Sequence, residues 1–119
     1  MYGLPENFDA SFLVDRNLEM ICFNINQVTF LFDEHTMITV EGSVLHQLSE
    51  SDDISSPVSP PIYESSLMQL LERSVSRAFG DEDGTLTLVF DNGHVLKCLD
   101  TYSKRESYQI VHGEHVVIV

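Results

Sequence analysis

Basic side chains are scarce in this 119-residue sequence: six Lys and Arg stand against nineteen Asp and Glu, for a formal net charge of -13. A groove for a phosphate backbone needs Lys and Arg in numbers, so neither nucleic acid nor an anionic membrane is an expected partner. Long apolar runs are also missing. Met1 to Val14 is broken by Pro5, Glu6, Asn7 and Asp9, and no stretch approaches the roughly 20 residues that span a bilayer. A cytoplasmic protein is expected. Cys22 and Cys98 lack a CxxC partner, which favours reduced, partly buried thiols over a zinc site or a bridge, with pairing between the two left open. There is no Gly-rich phosphate loop, GxSxG elbow or Ser-His-Asp set, and no cofactor is expected.

What the chain does contain is a duplication. Gln27 to Val40 and Thr85 to Cys98 follow the same pattern 58 positions apart. Val28 and Phe30 match Leu86 and Leu88 before a polar turn, and Ile38 and Val40 match Leu96 and Cys98 after it. Apolar side chains at a two-residue period occupy one face of an antiparallel pair, so each copy reads as a hairpin. The connections are Asp33-Glu34-His35 in the first and Asp91-Asn92-Gly93 in the second, where Asn-Gly is a strong turn signal. Met20 to Ile25 and Val75 to Phe79 read as further strands, and Val44 to Leu48 either extends the third strand or starts another. Ser107 to Val111 and His115 to Val119 form a C-terminal hairpin around His112-Gly113-Glu114. The β-branched run Val116 to Val119 suits a strand covered on both faces, in the monomer or in a homodimer.

Between the copies, residues 49–61 carry Ser, Asp and three prolines and are expected to be a mobile loop. Tyr63, Leu67, Leu70 and Leu71 then recur at intervals of three and four, which predicts a helix over Ile62 to Arg73 with Ser59 as its cap. The expected fold is α+β: a single domain, residues 1–119, with an antiparallel β-rich core of two similar hairpin units, one packed helix and a C-terminal hairpin.

Three segments carry a family likeness: Leu70 to Ala78, Gly84 to Leu96, and Glu106 to Ile110, with Ile21 to Phe32 as an earlier counterpart. Together they resemble an uncharacterised bacterial domain family of unknown function with duplicated β-hairpin segments. The resemblance covers most of the chain outside residues 49–61 and implies no catalytic residues.

Candidate functional residues sit on the turns. His35 and His94 follow Asp33 and Asp91 at the two hairpin tips, a His/Asp metal set if the tips meet and plain exposed turns if they do not. Asp81, Glu82 and Asp83 are too short a run for a calcium loop. Arg105, Glu106 and Tyr108 precede a late strand, where Tyr108 and Arg105 either form a recognition surface or pack the loop onto the helix.

The charge is uneven. Residues 1–61 hold ten acidic side chains against Arg16 alone, while residues 62–119 hold nine against five basic ones. The leading expectation is therefore a non-enzymatic protein-binding domain whose acidic surface meets a basic protein, as an immunity or inhibitor protein would. Asp33, Glu34, His35, Asp91, His94, Arg105 and Tyr108 are its candidate interaction residues. The alternatives are a small-molecule or metal-binding enzyme with a cleft between the β units, and a structural homo-oligomer. A flat apolar patch rimmed by acids would favour binding, whereas carboxylates and histidines gathered in a pocket would favour an enzyme.

Overall fold

The computed structural model describes residues 3–101 and 106–119. Two antiparallel sheets are built from β1 (Leu18–Phe23), β2 (Val28–Phe32), β3 (Thr36–Val40), β4 (Ser43–Gln47), β5 (Val75–Gly80), β6 (Leu86–Phe90), β7 (Val95–Leu99), β8 (Tyr108–His112) and β9 (His115–Ile118). Sheet 1 runs β1-β2-β3-β8-β9 and sheet 2 runs β4-β7-β6-β5. The predicted hairpins form with equivalent registers: Val28 faces Val40 and Phe30 faces Ile38, as Leu86 faces Cys98 and Leu88 faces Leu96. Their inward residues are buried and meet in one core with Leu18, Val44, Val75, Tyr108 and Ile110.

The duplication reaches further back than the hairpins. Leu13-Val14-Asp15-Arg16-Asn17-Leu18 is repeated as Leu70-Leu71-Glu72-Arg73-Ser74-Val75, and each copy follows a short 3-10 turn, Ser11–Leu13 or Leu67–Leu70. The two segments cross antiparallel at an Asn17–Ser74 bridge. Asp15 N–H donates to the Val75 carbonyl at 2.7 Å and, in the reciprocal place, Glu72 N–H donates to Leu18 at 2.8 Å. Leu18 N–H to Arg73 and Val75 N–H to Arg16 complete the set at 3.0 and 2.9 Å. Asp15 and Glu72 both take the left-handed conformation, φ 70° and 66°, that turns the chain into this crossing. A bulge follows in each copy, between Leu18 and Met20 and between Val75 and Arg77.

The units also exchange strands. β4 leaves the first hairpin and pairs with β7, while β8 leaves the second and pairs with β3. The chains pass each other where Glu41 and Gly42 N–H both donate to the Ser107 carbonyl, at 2.9 and 2.8 Å. Gly42 suits this close approach, because a Cβ there would lie 3.0 Å from Thr101 Oγ1 and 3.4 Å from the Ser107 carbonyl, so these neighbours would have to shift. After the exchange, Val58 exchanges two hydrogen bonds with Val44, as Val119 does with Tyr108. Within residues 49–61, Asp52 accepts hydrogen bonds from the backbone N–H of Leu48, Ile54 and Ser55 and from the Ser55 hydroxyl.

The predicted helix over Ile62 to Arg73 does not form, so the architecture is two sheets rather than α+β with a packed helix. Only Leu67–Leu70 turns, as 3-10. Leu67 and Leu70 are buried while Tyr63, Met68 and Leu71 are exposed, so the three-residue spacing reflects one tight turn instead of a helical stripe. Glu72 and Val75 N–H are committed to the other repeat, which withdraws these two donors from any continued helix. Tyr108 consequently packs in the sheet core and has no helix beside it.

Leu13 and Leu70 are fully buried twins. Truncating either to Ala is expected to cost about 2–5 kcal/mol by cavity formation. Denaturant unfolding in which one twin costs less than about 0.5 kcal/mol would contradict their equivalence.

Candidate functional site

The outer faces of the two sheets differ, although their positions correspond. On sheet 1, Met20, Leu31, Met37, Val111 and Val116 stand in successive cross-strand pairs, forming an apolar row across all five strands. Its ends are open to solvent, with Met20 54% and Val116 53% exposed, and Leu31, Met37 and Val111 are half-buried. On sheet 2 the matching row is Arg77, Val89, Val95 and Gln47. There Val89 and Val95 are only 5% and 2% exposed. Arg77, opposite Val89, reaches Glu50 with Nη1 to Oε1 at 2.8 Å and lies 5.6 Å over the Phe79 ring. Glu50, Gln47 and Phe79 line the same depression as the two valines. Val89 and Val95 are thus covered on sheet 2, with Phe79 42% exposed beside them, whereas the corresponding Leu31 and Met37 line an open groove on sheet 1.

A groove of about 610 Å³ lies along the open row, and its walls include Glu19, Leu31, Asp33, Glu34, His35 and Met37. Among the described residues, no Lys or Arg lines it. The nearest cation described, Arg16, approaches Asp33 with Nε to Oδ1 at 3.8 Å, too long for a hydrogen bond. Within the three-residue β2–β3 connection Asp33-Glu34-His35, Glu34 and His35 both have φ of 55°. Two successive left-handed positions favour Asn-Gly, because a side chain in that region is strained; in the twin connection Asp91-Asn92-Gly93 only Gly93 is left-handed. The first hairpin therefore carries a charged and an ionisable side chain at the groove's edge against local backbone preference.

Three of the sequence-predicted residues, Asp33, Glu34 and His35, gather at this groove. Asp91 is placed symmetrically to Asp33: its N–H bonds to Ser74 as that of Asp33 bonds to Asn17, and its carboxylate lies 3.9 Å from Arg73. His94 diverges from His35. His35 offers its carbonyl to Gly113 N–H, whereas the His94 ring joins a different cluster, and no set of three or more metal-ligating side chains converges among the described residues. Tyr108 is only 1% exposed, with its hydroxyl donating to the Gly84 carbonyl at 2.6 Å; burial pushes its pKa up. It is part of the core and has no surface to offer a partner. Arg105 lies outside the described residues. Cys22 is exposed on β1, and Cys98 is buried, with its thiol pushed up to about 12 by desolvation.

The second cluster escaped the sequence reading. His46 on β4 points its ring between Ser66 and His94: Nδ1 is 2.6 Å from Ser66 Oγ and Nε2 is 3.0 Å from His94 Nδ1. His46 shares a register position with buried Leu96, as Ile110 does with Ile38 in the other sheet. A polar residue at an inward position of an alternating strand was the available signal. Burial, and then the neighbouring His94, hold the His46 pKa below its usual 6.5.

Residues 11–119 match the Family of unknown function (DUF6188). The chain belongs to this family, whose domain is here a strand-exchanged pair of β units. No curated protein and no solved structure matches it. Among the described residues, no helix is long and apolar enough to cross a membrane.

Replacing Glu34-His35 by Asn-Gly is expected to raise unfolding stability by about 1–2 kcal/mol through relief of the left-handed turn. A loss of stability would show that the two side chains contribute more than they strain. His46 gives a pH dependence. Its folded pKa lies below the unfolded value of 6.5, so between the two the unfolded chain binds more protons and stability falls with acidification. Melting between about pH 7.5 and pH 5 should therefore drop further for the native protein than for His46→Gln, and parallel curves would contradict this.

Proposed function

We propose that this is a protein-binding domain that uses the outer face of sheet 1 to hold a basic protein, in the manner of a bacterial cytoplasmic immunity or inhibitor protein. The carrying observation is the asymmetry between twin surfaces: Val89 and Val95 lie covered on sheet 2, and Met20, Leu31, Met37, Val111 and Val116 form an open row on sheet 1. An exposed apolar patch is a favourable interface centre, because its burial supplies the driving force and its flat β surface needs little reordering. The groove's acids select the partner's charge. Glu19, Asp33 and Glu34 line it, with no Lys or Arg among the described lining residues, which favours Lys- and Arg-rich surfaces and speeds their approach. A strained Glu34-His35 turn beside the row supports the same reading, since local strain is commonly retained where a side chain serves a contact.

A homodimer through the edge of sheet 1 is the second reading. It is favoured by the exposed Val116 and Ile118 on β9, the terminal strand of that sheet.

The native protein, Met37→Lys and Lys97→Ser on sheet 2 can be immobilised and exposed to a lysate of the source organism at about 0.15 M and 0.5 M salt. The expected result is a stoichiometric basic protein retained by the native chain and by Lys97→Ser. It should be weakened about 30-fold or more by Met37→Lys and released by high salt. Equal retention by Met37→Lys, with circular dichroism showing a native fold, would overturn the assignment of this face. A shift of the native chain to twice its monomer mass, with no foreign protein retained, would favour the homodimer instead.

A further inference from the structure

Away from sheet 1, the hydrogen-bonded chain Ser66, His46, His94 lies at the wall of a separate cavity. Val44, His46, Ser55, Val58, Glu64 and Ser66 are among the residues lining this space of about 200 Å³. Ser66 itself is exposed to solvent and the His46 ring is partly withdrawn from it. In this arrangement a hydroxyl, an imidazole and a second imidazole are joined through successive contacts of 2.6 and 3.0 Å. Two sets of tautomers satisfy these contacts, and one of them activates the hydroxyl. If His46 Nδ1 accepts the Ser66 proton, Nε2 carries a hydrogen and donates it to His94 Nδ1, which must then be the unprotonated nitrogen of its ring. Nucleophile, base and orienting group are thereby connected in the order that hydroxyl activation requires.

We propose that Ser66 is a nucleophilic serine that accepts an acyl group from short, uncharged carboxylic esters, with His46 as its general base and His94 as the residue that positions His46. In acylation, Ser66 Oγ bonds to the ester carbonyl carbon, and its proton passes to His46 Nδ1. The carbon–oxygen bond to the alcohol breaks, and His46 returns the proton to the departing alkoxide. Water then attacks the acyl carbon, giving a proton to His46, and the carboxylic acid leaves as Ser66 Oγ recovers that proton. The cavity sets the substrate class. Val44, Val58 and Leu67 offer apolar contact, the small volume admits a short acyl group, and Glu64 disfavours an anionic one. Ser65 Oγ accepts the Leu67 N–H at 2.9 Å and retains its own proton as a donor to the developing oxyanion.

His46 suits the role of base. Its depressed pKa leaves it neutral near pH 7, so it has a lone pair to accept the serine proton. This activity is independent of partner docking on sheet 1, and neither requires the other.

The test is reaction of the folded protein with a fluorophosphonate probe, which labels activated serines, followed by intact mass and peptide mapping. The expected result is one adduct per chain at Ser66, no adduct in Ser66→Ala, and labelling at least tenfold slower in His46→Gln. His94→Gln should retain labelling while moving the midpoint of its pH profile upward toward 6.5, because the neighbouring ring no longer depresses His46. An absence of label at Ser66 in the native protein would overturn the proposal, as would equal rates in His46→Gln with a native circular dichroism spectrum. An unchanged pH profile in His94→Gln would remove His94 from the mechanism. Since Ser66 is exposed, Ser66→Ala keeps the test decisive even if the histidine variants fold poorly.

Discussion

The Asn17–Ser74 crossing is the constraint on which the architecture rests. Four backbone hydrogen bonds tie Asp15 to Leu18 against Glu72 to Val75, and they are equivalent under exchange of the two repeats. Each bond satisfies a group that would otherwise need another partner as the chain enters a buried strand, and an orphaned buried donor or acceptor costs about 1–3 kcal/mol. Arg16–Asp33 and Arg73–Asp91 repeat the symmetry in side chains at 3.8 and 3.9 Å. At those separations and with partial exposure they contribute little beside the backbone bonds. The crossing places the two hairpins, and the exchange of β4 and β8 then interlocks them, so neither repeat completes its sheet alone.

Near-symmetry makes the differences between the halves informative. Leu31 and Met37 occupy the positions of Val89 and Val95, yet only the latter pair is roofed by Arg77, Glu50, Gln47 and Phe79. The Glu34-His35 turn departs in the same region from the easier chemistry of Asn92-Gly93. His46 stands at the place of Ile110 and draws Ser66 and His94 into a polar cluster. Sheet 1 keeps its outer apolar row open, and sheet 2 covers Val89 and Val95 and carries the histidine chain.

Much of this was legible in the sequence where local pattern and tertiary structure agree. Alternation in Val28 to Phe32 and Leu86 to Phe90, repeated at 58 positions, identifies the hairpins and their registers. The helix over Ile62 to Arg73 failed because spacing of three and four residues cannot distinguish a helical stripe from one 3-10 turn followed by a strand entry. The strand exchange was hidden because nothing local in Ser43 to Gln47 says which sheet it joins. Asp33, Glu34 and His35 were legible as a turn, but the groove beside them depends on neighbours from β1, β8 and the β8–β9 turn. Ser66, His46 and His94 lie 20 and 48 residues apart and meet only through β4's pairing with β7.

The central claim, that the open face of sheet 1 is the surface a partner meets, is tested most directly by site-specific photocrosslinking. A photoreactive side chain placed at position 37, or in a separate protein at position 97 on the outer face of sheet 2, would be activated in cells of the source organism. The account predicts a discrete adduct with a basic protein from position 37 and none from position 97. The same adduct from both positions, or an adduct from position 97 alone, would contradict it.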